Sequence, residues 1–424
     1  MNKHILLASY VFPPYPDIGS RRWAKFAKYL ARDGFNVHVV AARNPFKEQS
    51  LWTADIKHEN IYLHYLPHCY PKILMSQRKF IWQKIIARIL ICLLRMLVKG
   101  IIFDYAIFWQ KPLEKKVISL IKTYGIKNII VTGPPFRVPY YVTRLKTKFP
   151  GLDIISDLRD IWLNGRVYCL DGLSGKVLEY EAGMEDYAVR NSSYLTFPDE
   201  NITFDFRNRY SAVKSADKFI TLTHAYDADN YIFDIPLTAE PGKKQIELVF
   251  GGSIPMKDIE PIIIPLFECL SLLKQDMPQL YGRLSFKFYV RQYWFFTLAK
   301  KYGLEAISIC SPVPEKEYFH IIRRMDFFMI FLPDHLKDYR TTKFPEYLPL
   351  KKPIVVFSNL GKTSQYVIEN KIGSSFTPGN YYNNIIQLVE EYDTGKAVFN
   401  PDFNCERFSY GSVTKNLESL FRLE

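Results

Sequence analysis

Short apolar runs rich in Ile, Val and Phe recur along this chain, and nearly every one is followed by a stretch of helical periodicity. In the first half they fall at 5–9, 37–41, 61–66, 129–132, 154–156, 194–197 and 218–222. In the second half they fall at 246–250, 286–290, 307–310, 327–331 and 354–357. Strands alternating with helical patterns build parallel α/β sheets, in which helices cover both faces. At 424 residues the chain is longer than a single core usually takes, so two such domains are expected. The segment 226–245 has no clear period and carries Pro241-Gly242, and it reads as a linker. The expected plan is therefore a first domain at 1–225, a second at 246–400, and a terminal segment at 401–424 packing back on the first. In two Rossmann-like domains facing across a cleft, the carboxyl ends of the strands form the default ligand site.

The first strand leads into FPPYPDIGSRRW, residues 12–23. Three prolines restrict the path of this loop, and Gly19 and Ser20 then open a helix. Trp23, Phe26, Ala27 and Leu30 form its apolar stripe, with Ser20 placed as N-cap and Gly34 as the terminating glycine. Arg21, Arg22, Lys25, Lys28 and Arg32 fall mostly off the stripe. Free amides at such a helix start favour an anion. An ordinary strand-to-helix turn with surface arginines fits the same residues. A lone glycine is not the GxGxxG fingerprint, so nothing here points to a dinucleotide site.

A second constellation lies between the runs at 327–331 and 354–357. Thr342 is positioned to cap a short helix, with Lys343 in its first turn and Glu346 inside it; Asp338 stands eight residues before Glu346. A helix start plus Lys343 suits a diphosphate, and Glu346 suits the two vicinal hydroxyls of a ribose. Asp338, on the loop, suits a sugar hydroxyl. A capped surface helix with a solvent-facing Glu is the plainer alternative.

Three segments in this order, 12–42, 131–162 and 325–357, resemble GT-B glycosyltransferases of the family 4 type, which use nucleotide sugars. The last resembles that family's acid-x7-acid element, with Asp338 in place of the usual first Glu. The resemblance implies that Glu346 binds the nucleotide ribose and that Gly19 approaches the donor phosphates. It places a basic pair after the first strand of the second domain. Lys257 matches the lysine, whereas the arginine position reads Gly252 or Ser253. Arg22 and Arg291 are the candidates to substitute. Lys351 and Lys352 stand where the family usually has a glycine. Within 157–160, Arg159 and Asp160 are placed to orient an acceptor hydroxyl or the donor sugar, a structural salt bridge being the alternative. Gly133 lets backbone approach a ligand. Lys257, Lys343 and helix amides would stabilise the departing diphosphate. The implied reaction is transfer of a sugar, with retention, to a lipid-linked or polysaccharide acceptor. The other reading is a glycosyltransferase-like binding protein without activity.

Charge and cysteine usage narrow the partners. The 56 Lys and Arg outnumber 43 Asp and Glu, giving a formal charge of +13. That favours an anionic partner, and no nucleic-acid-binding signature accompanies it. Residues 72–103 hold seven basic side chains and no acidic one. Gln77, Lys84, Arg88, Arg95 and Lys99 recur at intervals that place them on one helical stripe, and most of the remaining side chains are apolar. An interfacial helix on an anionic membrane surface fits, as does a helix packed in the first domain with a basic edge; a transmembrane span does not, because cations interrupt the run. No two of the six cysteines have CxxC spacing, which suggests reduced thiols rather than zinc. The start shows no signal-peptide pattern, and the expected location is the cytoplasm, peripheral to the inner membrane face. Asp227-Ala-Asp229 has a D-x-D spacing able to hold a metal on a diphosphate, but it lies in the linker, where solvated acids are common. Neither a cofactor nor a metal is expected.

Overall fold

The computed structural model describes residues 3–163, 175–213, 216–233, 245–253 and 256–422. The chain divides into two compact units, one formed by Met1–Thr223 with Tyr410–Glu424 and the other by His224–Ser409. The first boundary thus falls just ahead of the segment read as a linker.

Unit 1 carries strands β1 (His4–Ala8), β2 (Asn36–Ala42), β3 (Ile61–Leu66), β4 (Asn128–Gly133), β5 (Asp153–Leu158), β6 (Tyr194–Phe197) and β7 (Phe219–Thr221). They form one parallel sheet in the order β3-β2-β1-β4-β5-β6-β7. Its helices are α1 (Gly19–Arg32), α2 (Lys72–Met75), α3 (Ile81–Leu97), α4 (Gln110–Tyr124), α5 (Arg137–Thr143), α6 (Gly175–Asn191) and α7 (Glu200–Arg209). Unit 2 contains β8 (Ile246–Gly251), β9 (Leu284–Tyr289), β10 (Ile307–Cys310), β11 (Phe327–Leu332), β12 (Ile354–Ser358) and β13 (Gly373–Phe376). These form a second parallel sheet, β10-β9-β8-β11-β12-β13. Around it stand α8 (Met256–Asp276), α9 (Pro278–Tyr281), α10 (Tyr293–Tyr302), α11 (Glu315–Ile322), α12 (Lys343–Tyr347), α13 (Lys362–Glu369) and α14 (Tyr381–Asp393); α15 (Tyr410–Glu418) belongs to unit 1.

Both sheets follow the doubly wound Rossmann order, and unit 1 adds a seventh strand. Burial explains the unbroken apolar runs. Every residue of β11 and β12 is buried, because helices cover both faces. In unit 1 a core built on Leu6, Val40, Ile129 and Ile154 packs against Leu113 and Val117 of α4. In unit 2 Leu248, Phe286, Met329 and Val355 pack against Ile263, Leu266 and Leu270 of α8. Of the terminal segment, 401–409 belongs to unit 2, and the part from Tyr410 onward is fastened to unit 1 from two sides. Tyr410 meets the edge of Phe26 on α1, with ring centroids 5.2 Å apart. Asn128 exchanges hydrogen bonds of 3.0 and 2.9 Å with the backbone of Arg422.

Helix α1 departs from expectation in two respects. Its apolar stripe is buried and Gly34 adopts a φ of +83°, as the pattern requires. Ser20, however, is not the cap. The cap position falls at Ile18, and Asp17 just before it accepts the Gly19 amide at 2.7 Å, while the Ser20 hydroxyl donates to the Asp17 carbonyl. Arg21, Arg22, Lys25 and Lys28 are also buried rather than left outside the core. Lys25 and Lys28 converge on Asp55, at 2.9 and 3.3 Å, so carboxylates distant in sequence take up this charge. The segment 72–103 is not one helix. The chain is extended at Ser76 and at Phe80, which separates α2 from α3 and leaves Gln77 off the stripe.

Candidate functional site

In each sheet the strand order reverses at one place: between β1 and β4 in unit 1, and between β8 and β11 in unit 2. Ligands of open α/β sheets bind beyond the carboxyl ends of the strands at such a reversal. Gly19 follows β1 in unit 1, and Gly252 and Lys343 stand beyond β8 and β11 in unit 2.

In unit 1 the loop after β1 is pinned by its neighbours. Tyr65 donates to the Pro13 carbonyl at 2.6 Å, and the Ser50 amide and the Asn44 side chain donate to the Pro14 carbonyl. Arg159, just beyond β5, ties this loop to the turn after β4. Its Nη1 donates to the Gly19 carbonyl at 2.7 Å and its Nη2 to the Pro134 carbonyl at 2.6 Å. A Cβ at Gly19 would lie 2.3 Å from that Nη1, so Arg159 itself accounts for the glycine. Gly133 has a similar local reason: a Cβ there would lie 2.8 Å from the Phe136 ring, which stacks on Trp162.

Arg22 is committed elsewhere, which corrects its reading as a substitute phosphate ligand. Its Nη2 lies 3.1 Å from Asp157 Oδ1 and also donates to the Leu222 carbonyl at 2.6 Å; its Nη1 donates to Thr223. Asp157, wholly buried, accepts further bonds from Trp23, Thr132 and Thr196. The structural ion pair in this region is therefore Arg22–Asp157, and Arg159 and Asp160 lie outside it. Asp160 keeps contact with solvent although protein crowds around it. That crowding raises its carboxyl above the ordinary range; the Arg159 guanidinium pulls it back, and Asp157 and Asp17 add to the rise. A perturbed, accessible carboxylate at a strand end is a candidate functional group.

In unit 2, β8 ends at Gly251, followed by Gly252 and Ser253. A Cβ at Gly251 would lie 2.4 Å from the Tyr318 hydroxyl, and one at Gly252 would lie 3.2 Å from Lys343 Cε. The Lys343 side chain thus runs past the position where the family resemblance places an arginine. Its Nζ donates to Glu346 Oε2 at 2.8 Å, and it lies over the Tyr318 ring. Glu346 is buried, and its carbonyl accepts the Tyr231 hydroxyl.

Sequence reasoning missed Tyr318 and Tyr347. Their hydroxyls lie 3.3 Å apart, and Tyr347 is hydrogen bonded to the Gly251 backbone. Burial, with Tyr347 and Glu346 beside it, pushes the Tyr318 phenol well above its ordinary value, so it stays neutral and able to donate. The adjacency of Tyr347 to Glu346 on one short helix was the available signal; nothing local in sequence marks Tyr318.

The other predicted residues are placed as follows. Thr342 is in the helical conformation and its side chain caps nothing, which corrects its expected role. Helix α12 has only five residues, so its dipole is small. One Asp338 oxygen accepts the Lys362 amide at 2.9 Å, at the start of α13. Arg291 is exposed just past the end of β9, the neighbour of β8. Lys257 stands in the first turn of α8, and its side chain lies outside the described residues. Asp227 accepts the Asp229 amide and caps a short 3-10 turn.

Solved structures share this architecture. The fold is GT-B. A glycosyltransferase from Rickettsia africae superposes with a TM-score of 0.62 at 14% identity, over 99% of this chain and 98% of that one. Sucrose-phosphate synthase from Thermosynechococcus elongatus gives 0.60 at 11% identity, over 98% of both chains. A UDP-GlcNAc 2-epimerase from Neisseria meningitidis, solved with UDP-GlcNAc bound, gives 0.54 at 11% identity, over 98% and 99%. No family model matches the sequence. No curated protein matches it either.

Proposed function

We propose that this protein is a glycosyltransferase that moves a sugar from a nucleotide-sugar donor to a lipid-linked or polysaccharide acceptor. The observation that carries the reading is the Lys343–Glu346 pair beside Gly251 and Gly252, at the strand-order reversal of unit 2. A cation there suits a diphosphate, and the neighbouring carboxylate suits a ribose diol. Arg291 and Lys257 add charge to the same donor, and Asp338 reaches the sugar. On unit 1, Asp160 and Arg159 serve the acceptor side, with Arg159 holding the two loops that frame it. The reaction proceeds with retention. The acceptor hydroxyl attacks the anomeric carbon, the bond from that carbon to the diphosphate oxygen breaks on the same face, and the hydroxyl proton passes to the departing phosphate. Positive charge at Lys343 and Lys257 offsets the developing negative charge. No metal or cofactor is assigned.

UDP-GlcNAc bound in one of the similar structures supports a nucleotide-sugar ligand, but the similar proteins span two reaction types, transfer and epimerisation. A binding protein without turnover is the second reading, favoured by the glycine in the place of the arginine. A thermal-shift screen against UDP-, GDP-, ADP- and CDP-sugars tests the ligand class. The stabilising nucleotide sugar is then supplied with label in its sugar, together with a membrane lipid extract. Label in the lipid or glycan fraction supports transfer. An epimerised donor, or binding without turnover, overturns it.

A further inference from the structure

Helix α3 has two apolar faces, and the fold covers only one. Ala87 and Leu94 are its buried residues, and Leu94 packs with Tyr70 and Ile102. The opposite side presents Trp82, Ile85, Ile86, Ile89, Leu93 and Met96, all exposed, Met96 to 76%. At about 100° per residue these six fall within an arc of about 100°. A contiguous apolar surface of this kind marks a docking face rather than ordinary surface composition.

The chemistry of one edge says what covers it. Lys84, Arg88 and Arg95 line up at spacings of four and seven beside the apolar arc. No acidic residue occurs anywhere in 72–103. A second copy of this chain would bring a second row of cations with no carboxylate in the segment to receive them. An anionic lipid surface offers both an apolar interior and phosphates at its rim. No helix among the described residues is long and apolar enough to cross a membrane, and the cations of α3 sit in its middle as well as near its end.

We infer that α3 lies flat in the interface of an anionic bilayer, with Trp82, Ile85, Ile86, Ile89, Leu93 and Met96 at the acyl boundary and Lys84, Arg88 and Arg95 on lipid phosphates. The helix is a fixed part of unit 1. Past its end, the Ile101 amide donates to Glu181 Oε1 at 2.8 Å, Arg137 donates to the Lys99 carbonyl at 2.6 Å, and Tyr70 donates to the Ile102 carbonyl at 2.8 Å. The other oxygen of Glu181 accepts Trp162 Nε1 at 3.0 Å. Trp162 stands in the loop segment that carries Arg159 and Asp160, two residues past Asp160. Docking of α3 therefore fixes the height of that loop above the lipid, which suits an acceptor borne by the membrane.

Sedimentation of the full chain with vesicles tests this without any sugar transfer, so its outcome is independent of the donor reading. The chain binds vesicles of phosphatidylcholine with phosphatidylglycerol, binds phosphatidylcholine alone far less, and is released by high salt. Replacing Ile85, Ile89 and Leu93 together by Ser lowers binding by about tenfold or more, while the thermal unfolding midpoint stays at the parent value because the three side chains are exposed. Replacing Lys84, Arg88 and Arg95 together by Gln removes the preference for phosphatidylglycerol. The inference is overturned if the chain fails to bind the anionic vesicles at low salt, or if the Ser variant binds as the parent does. It is also overturned if the chain is a dimer that ignores vesicles and that the Ser variant dissociates, which assigns the face to a second copy.

Discussion

Arg22 and Asp157 form a buried ion pair, 135 residues apart in the chain and 3.1 Å apart in the structure, that joins α1 to the centre of the first sheet. Arg22 also holds the Leu222 and Thr223 carbonyls, where unit 1 gives way to unit 2. Removing one partner leaves the other charged and buried without compensation. Arg22→Ala is therefore expected to cost about 3–5 kcal/mol, read as a lowered midpoint in denaturant unfolding. A loss below about 1 kcal/mol would show that the pair contributes no more than a surface contact.

Gly252 and Lys343 occupy adjoining space. Gly252→Arg puts back the residue that the family resemblance expects, yet Lys343 Cε stands 3.2 Å from where its Cβ would be. The variant is expected to bind the nucleotide sugar more weakly than the parent, because the new side chain displaces Lys343. Tighter binding in a calorimetric titration would mean that the site simply lacks a cation.

Lys351 takes the left-handed conformation, φ +49°, after the turn Leu348–Leu350, where the resemblance expects glycine. A side chain there carries steric strain that glycine avoids. Lys351→Gly is expected to stabilise the protein by about 0.5–1 kcal/mol, measured by thermal unfolding; destabilisation would refute the strain account.

His38 on β2 is wholly buried, with Nε2 2.9 Å from His4 Nδ1, stacked on His64 and Tyr62 and tilted against Tyr124. Burial, then His4, His64 and Lys116, push it down to about 4 from an ordinary 6.5. The unfolded chain therefore binds this proton at a higher pH than the native state does. The stabilisation from keeping His38 neutral is complete above about pH 6.5 and is lost as pH falls towards 4, by up to about 3 kcal/mol. A His38→Gln variant should flatten the stability profile in that window, and an unchanged slope would place the acid sensitivity elsewhere.

The strands were legible because a parallel sheet covered on both faces demands unbroken apolar runs, as Phe327–Leu332 shows. Strand β13, Gly373–Phe376, escaped because it is built of small residues. A Cβ at Gly373 would sit 1.9 Å from the Ile354 carbonyl oxygen, so close approach to β12, not hydrophobicity, selects its sequence. Arg22 and Lys25 looked like surface charges because their carboxylates lie far along the chain, where no local pattern reveals them. At the candidate site, Lys343 and Glu346 could be named from their spacing. Tyr318 could not, since it reaches Gly251 from a different helix, and the preoccupation of Arg159 with two carbonyls depends on loop geometry.

The central claim is that Lys343 and Glu346 bind a nucleotide sugar, and calorimetric titration of the parent, Lys343→Ala and Glu346→Gln with the stabilising nucleotide sugar tests it most directly. The parent is expected to bind, and each variant to bind at least about tenfold more weakly, the loss of one charge-assisted hydrogen bond, with unfolding midpoints showing that the variants are folded. Equal affinity in all three proteins, or no binding of any nucleotide sugar to the parent, would contradict the account.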